Sequence, residues 1–313
     1  HRQWVPCCYN GPMEAEILTL LDQRGPLTGG ELLESLSRDG LALWRICMGS
    51  PSLVVRSIAR LYLRLDRRID NYARLSPSIL REFLTYSVVA RRGDEEASGA
   101  RLLDLSRRIR TVTQDKSLLA YRTISALVSR ADNPDLIRER ACFILAGDIV
   151  YNMAHDVPRP ERSTGRMVQG SDLDLVIITG GGFPEDQRRR LDERIFREKH
   201  RLLTTPQLRE EIDYVIKDLD TVREQLRFDT FRHMVACKIM QEGTLLYGDE
   251  GLFTTVKQML AESGASARLN DMEKEAGLFR SKARQVLLRE DLETIRRDHL
   301  GLFYPTEESE EFE

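Results

Sequence analysis

Cysteine is scarce: the chain has five in 313 residues, and only Cys7 and Cys8 are neighbours. Adjacent cysteines rarely bridge or chelate as a pair, and no zinc spacing or disulfide framework is present. No apolar run is long enough to span a bilayer and no secretory leader is visible, so a cytoplasmic protein without membrane partners is expected. Lysine is missing from residues 13–92, where every positive charge is arginine and arginines outnumber acids. Arginine suits bidentate contact with phosphate or carboxylate, though a GC-rich gene gives the same bias. The net charge is only −3 with 31% charged residues, so nothing global demands nucleic acid. The last nine residues hold five Glu and no base, which reads as an acidic disordered tail over 305–313.

A chain of this length holds two to three domains. Residues 14–23 place Ile17, Leu18, Leu20 and Leu21 on one helical face, ended by Gly25 and Pro26. Thr28 with Glu31 three residues on forms a capping box for a second helix burying Leu32, Leu33 and Leu36. A third, over 41–48, carries Leu43, Trp44 and Ile46, and residues 61–66 then alternate like a strand. This order resembles a winged helix-turn-helix domain over 13–90. The resemblance implies a third helix entering the major groove and Arg64, Arg67 and Arg68 near a wing touching phosphates. The apolar third helix leaves mainly Arg45 for that work, so a domain for protein contact stays open. Residues 91–100 read as a linker, and 101–133 as a helical connector with Leu102, Leu105, Ile109, Leu118, Leu119, Ile124 and Leu127 toward the core.

The chemistry concentrates at Gly170, Ser171, Asp172, Leu173 and Asp174, followed by an apolar β-branched run to Thr179. On a strand, residues two apart share a face, so Asp172 and Asp174 project together, opposite Leu173, Leu175 and Ile177. Two adjacent carboxylates repel, and a hard divalent cation removes that cost. A strand whose carboxylates pair with arginines is the plain alternative. Downstream stand a charged helix over 185–203, an apolar strand over 211–217 bearing Asp213, and a helix over 228–241 carrying Lys238 and a partnerless His233. Glu242-Gly243 then lead into a short apolar strand ending Tyr247-Gly248.

This constellation, over 134–250, resembles the DNA polymerase β-like nucleotidyltransferase superfamily and its minimal members. The resemblance implies an α+β fold: a small mixed sheet flanked by helices, preceded by the winged-helix-like domain and followed by helices over 251–304 that shape the acceptor side. It also implies transfer of a nucleoside monophosphate from an NTP to an acceptor hydroxyl, on a protein side chain or an RNA 3′ end, releasing pyrophosphate. Asp172, Asp174 and Asp213 become the ligands of two Mg²⁺ or Mn²⁺ ions, and Asp213 takes the attacking hydroxyl's proton. Gly147 matches the glycine of the triphosphate-binding turn, with Asp148 where serine is usual; Gly170 and Ser171 offer another register. Lys238 and the loop arginines Arg159, Arg162 and Arg166, Arg166 foremost, supply positive charge for the nucleotide. Gly243 is expected in the left-handed position after its helix. Two other readings stay open: a DNA-binding regulator whose nucleotidyltransferase domain is a degenerate nucleotide sensor, and an interaction protein of a toxin–antitoxin or defence system.

Overall fold

Residues 11–65, 73–161, 163–305 and 308 are described by a computed structural model. Arg67, Arg68, Arg162, Cys7, Cys8 and nearly all of the acidic tail lie outside them. The chain runs through α1 (Pro12–Arg24), β1 (Leu27–Thr28), α2 (Gly29–Leu36) and α3 (Gly40–Gly49). β2 (Leu53–Ser57), β3 (Tyr62–Leu65), β4 (Ala73–Ser76), α4 (Ile79–Tyr86) and β5 (Ser87–Arg91) follow. The long α5 (Glu95–Ser129) leads to α6 (Pro134–Arg140), β6 (Ala141–Ala146) and a 3-10 turn (Gly147–Tyr151). Next come β7 (Arg159–Pro160), β8 (Met167–Val168), β9 (Leu173–Thr179), α7 (Glu185–Thr204) and β10 (Ile212–Asp218). α8 (Leu219–Gln225), α9 (Phe231–Glu242), β11 (Thr244–Gly248), α10 (Glu250–Glu262) and α11 (Ala265–Arg289) complete the main elements. The fold is α+β with small sheets.

The chain divides into two compact units. The first takes the described residues up to Tyr62, Leu75–Arg108 and those from Gly277 onward. Its antiparallel sheet has the order β1-β5-β2. Thr28 starts α2 as expected: its hydroxyl accepts from the Glu31 N–H at 3.2 Å, while its own N–H donates to Glu31 Oε2 at 2.7 Å. The core gathers Ile17, Leu32, Leu43, Trp44, Phe83 and Val89, and also Ala283, Leu287, Ile295 and Phe303. Those last four correct the expectation that residues 251–304 form one region. α10 and the start of α11 belong to the second unit, whereas the apolar stripe from Ala283 onward fills the first unit's core.

The same packing covers much of α3, the helix expected to enter the groove. Leu41, Leu43, Trp44 and Cys47 are buried, and the Trp44 and Phe303 rings lie 5.4 Å apart. Arg45, its one polar candidate, donates to the carbonyls of Glu290 and, at 3.3 Å, Leu288. The strand expected over 61–66 forms a separate ribbon with β4 rather than joining the three-stranded sheet. The linker shrinks to residues 92–94, because Glu95 already opens α5 with acids at its N-terminal end. Leu118, read as core, is 45% exposed.

The second unit takes Leu63–Arg74 and Ile109–Ala276. Its mixed sheet has the order β10-β9-β6-β11, with β10 parallel to β9 and the other pairs antiparallel. Leu173, Leu175 and Ile177 bury one face of β9 among Phe143, Leu145, Leu191 and Ile195, as strand alternation requires. Each such side chain contributes roughly 1.5–3 kcal/mol of burial. Gly243 is not left-handed: its φ is −58°, and a Cβ there meets Ile144 Cγ2 at 2.4 Å, so close packing explains the glycine. α9 starts at Phe231, because Thr230 caps it by accepting from the His233 N–H at 3.2 Å. His233 has a partner after all, Asp229 at 2.6 Å. Burial pushes the Cys47 and Cys142 thiols up to about 12, which leaves them unreactive. No helix among the described residues is long and apolar enough to cross a membrane.

Candidate active site

Three strands converge on the carboxylates. Asp172 stands just before β9 and Asp174 is its second residue, so both leave the same face. The parallel ladder sets Asp213 of β10 directly against Asp174, and Ala146 at the end of β6 pairs with Asp174 from the other side. The turn after β6 therefore arrives at Asp174. Gly147 makes that turn at φ +72°, where a Cβ would sit 2.1 Å from Asp174 Oδ2; only glycine fits. Burial, then repulsion from Asp172 and Asp213, holds the Asp174 carboxyl well above the usual carboxylate range. Arg64 opposes this shift and Asp148 adds to it. Asp213 itself is exposed.

Gly170 and Ser171 hold the backbone before this strand. Gly170 has φ +64°, and a Cβ there would lie 2.0 Å from the His155 carbonyl oxygen. Ser171 donates its N–H to that carbonyl at 3.0 Å, and its hydroxyl accepts from the His155 N–H at 3.1 Å. The same hydroxyl donates to Asp148 Oδ2 at 2.8 Å, which ties the loop to the 3-10 turn. Asp148 thus turns toward a serine rather than standing as a bare acid.

Of the two loop arginines among the described residues, Arg159 and not Arg166 reaches the carboxylates. Arg159 pairs with Glu211 at 2.9 Å, lies 3.8 Å from Asp172 Oδ2, and donates from Nε to the Gly170 carbonyl at 2.8 Å. Arg166 lies near the tip of the β7–β8 hairpin with its side chain exposed. Glu211, beside Asp213 in sequence, is raised by burial and by Asp172, against the pull of Arg159.

Lys238 does not reach out to solvent. It is buried, pairs with Glu242 one helical turn on, and donates to the Tyr151 hydroxyl at 2.7 Å. Glu242 accepts the Gly147 N–H at 3.1 Å and the Tyr151 hydroxyl at 2.9 Å. Glu242 entered the sequence reading only in the Glu-Gly after the helix over 228–241, and Tyr151 and Glu211 had no role in it. The Lys238–Glu242 spacing of four was the available signal for the first. Arg64 was read as a wing residue, yet its charge acts on Asp174.

Magnesium is commonly held by one or two carboxylates together with substrate phosphates and water. The oxygen donors of Asp172 and Asp174, crowded by like charge, fit that demand. Among the described residues no three His, Cys, Asp or Glu side chains form a metal-holding group by themselves. No known family, curated protein or solved structure matches the chain.

Proposed function

We propose that this protein is a nucleotidyltransferase, moving a nucleoside monophosphate from an NTP to an acceptor hydroxyl with release of pyrophosphate. The observation that carries the reading is the alignment of Asp172, Asp174 and Asp213 on adjacent strands, where Asp174 is pushed up by burial and by its acidic neighbours. Acids crowded together in a folded site, with their repulsion only partly offset by Arg64 and Arg159, are a mark of function. Mg²⁺ or Mn²⁺, when bound, would lower the acceptor hydroxyl's pKa and offset charge on the departing pyrophosphate. Asp172 and Asp174 would hold the ion, and the exposed Asp213 would take the proton of the acceptor hydroxyl. Arg159, beside Asp172, and Arg64, acting on Asp174, provide positive charge for the nucleotide phosphates. Positioning and charge neutralisation then supply most of the rate.

A macromolecular acceptor, protein or RNA, is favoured, because the first unit is more than a small acceptor needs. Three helices with a β1-β5-β2 sheet support a winged-helix-like reading of that unit. The burial of α3 weighs against the DNA-binding regulator. The test is incubation of the protein with each α-³²P-labelled NTP and Mg²⁺ in a cell extract, resolved on protein and RNA gels. Label on one band, lost with Asp174→Ala, supports the assignment and names the acceptor class. Equal labelling by Asp174→Ala overturns it.

A further inference from the structure

One buried carboxylate ties down both ends of the turn that abuts Asp174. Glu242 ends α9 with its side chain only 9% exposed. Its Oε1 accepts from Gly147, the first residue of the 3-10 turn, and its Oε2 accepts from the hydroxyl of Tyr151, the last. Lys238 neutralises it from one helical turn earlier, donates to the same hydroxyl, and lies 5.1 Å from the centroid of the Tyr151 ring. The α-carbon of Gly147 is packed against the Asp174 carboxylate, which occupies the place a Cβ would take. The position of that turn therefore limits the orientations open to the Asp174 side chain.

We infer that Lys238, Glu242 and Tyr151 form a positioning clamp that acts through Gly147 to set Asp174 for its cation. This rests on the nucleotidyltransferase reading of the site. It assigns Lys238 a different role from that of a phosphate-binding cation, since its ammonium and the Gly147 N–H both converge on Glu242. A glutamine at 242 keeps the shape but removes the charge that Lys238 pairs with, and an amide nitrogen turned toward Gly147 cannot accept its N–H.

The test is Mn²⁺ titration of the full-length protein, followed by electron paramagnetic resonance, beside titration with ATP in metal-free buffer. Glu242→Gln and Lys238→Met should weaken Mn²⁺ binding about tenfold, the scale seen when partners of metal ligands are removed. ATP affinity without metal should stay unchanged. Tyr151→Phe keeps the ring and removes one hydroxyl; it should shift Mn²⁺ binding in the same direction by less, and it covers the case in which the buried variants fail to fold. Weaker ATP binding with intact Mn²⁺ binding in Lys238→Met would overturn the clamp in favour of a phosphate contact. Wild-type behaviour for both ligands in all three variants would overturn it in favour of an ordinary helix-end pair. Asp174→Ala runs alongside: if it binds Mn²⁺ like the wild type, the metal reading itself falls, independently of the clamp.

Discussion

Glu82 in the first unit and Asp174 in the second are both carboxylates withdrawn from water, and their neighbours differ in sign. Burial alone would raise Glu82, but Arg280 and Arg284 outweigh it and hold the carboxyl below its ordinary value. Arg280 also donates to the Pro77 carbonyl at 2.7 Å, so α11 is pinned to the segment before α4. Asp174 has burial, Asp172 and Asp213 all working against its charge. One unit compensates its buried acid and gains stability; the other accumulates acids along adjacent strands at a cost in stability. Charge that a fold leaves crowded is better explained by what it binds than by what it holds together.

The largest expected effect is on activity. Asp174→Ala should lower nucleotidyl transfer by about 10³-fold or more, the scale for removing a group that stabilises the transition state, read as pyrophosphate released per minute. Glu82→Ala should have the opposite profile: transfer unaffected in the folded protein, but stability reduced by about 3 kcal/mol in urea unfolding, because the buried Arg280 and the partly exposed Arg284 lose their shared partner. Equal activity losses in the two variants would erase the contrast between the units.

The Glu82 contribution also has a pH signature. Its folded pKa is depressed, so the stabilisation is complete above the ordinary carboxylate value and disappears as pH falls through the lowered one. The gap in Tm between wild type and Glu82→Gln should therefore narrow as pH is taken from about 7 to about 3. A gap that widens in acid would reverse the assigned sign.

Much of the second unit could be read from local spacing. The two-residue repeat fixed the shared face of Asp172 and Asp174, and the order strand, helix, strand pointed to Asp213. In the first unit, Thr28 and Glu31 announced α2 by a contact three residues long. What escaped was set by distant partners. Arg45 finds its carbonyl acceptor at Leu288, 243 residues later, and Trp44 finds Phe303; no pattern near α3 signals that cover. Arg159 and Arg166 are equivalent as letters, and the β7–β8 register, which pairs Arg159 with Val168 two residues before Gly170, distinguishes the first. Gly243 does end α9, but not in the left-handed conformation, and the close approach of the Ile144 side chain explains the glycine.

Two smaller effects sharpen the comparison. Phe303→Ala should cost about 3 kcal/mol, the low end for deleting a buried aromatic, with Asp174-dependent transfer retained by the folded fraction. The wild-type chain, with α3 covered, should show no duplex binding that falls steeply between about 50 and 200 mM salt in fluorescence anisotropy. A steep salt slope would restore the groove-reading role. Glu161 gives the smallest effect. The hydroxyls and N–H groups of Ser163 and Thr164 converge on its carboxyl and hold it down at about 2. Glu161→Gln should speed hydrogen exchange at the Ser163 and Thr164 amides and lower stability at neutral pH, less than Glu82→Ala does, since a carboxyl held down by the fold stabilises it.

The most direct measurement is urea unfolding of wild type and Asp174→Asn, each with and without Mg²⁺. If the acids are crowded in order to hold a cation, the neutral variant is more stable than wild type in metal-free buffer, and the stabilisation that Mg²⁺ gives the wild type is lost. A variant less stable than wild type without metal, yet equally stabilised by Mg²⁺, would contradict the account.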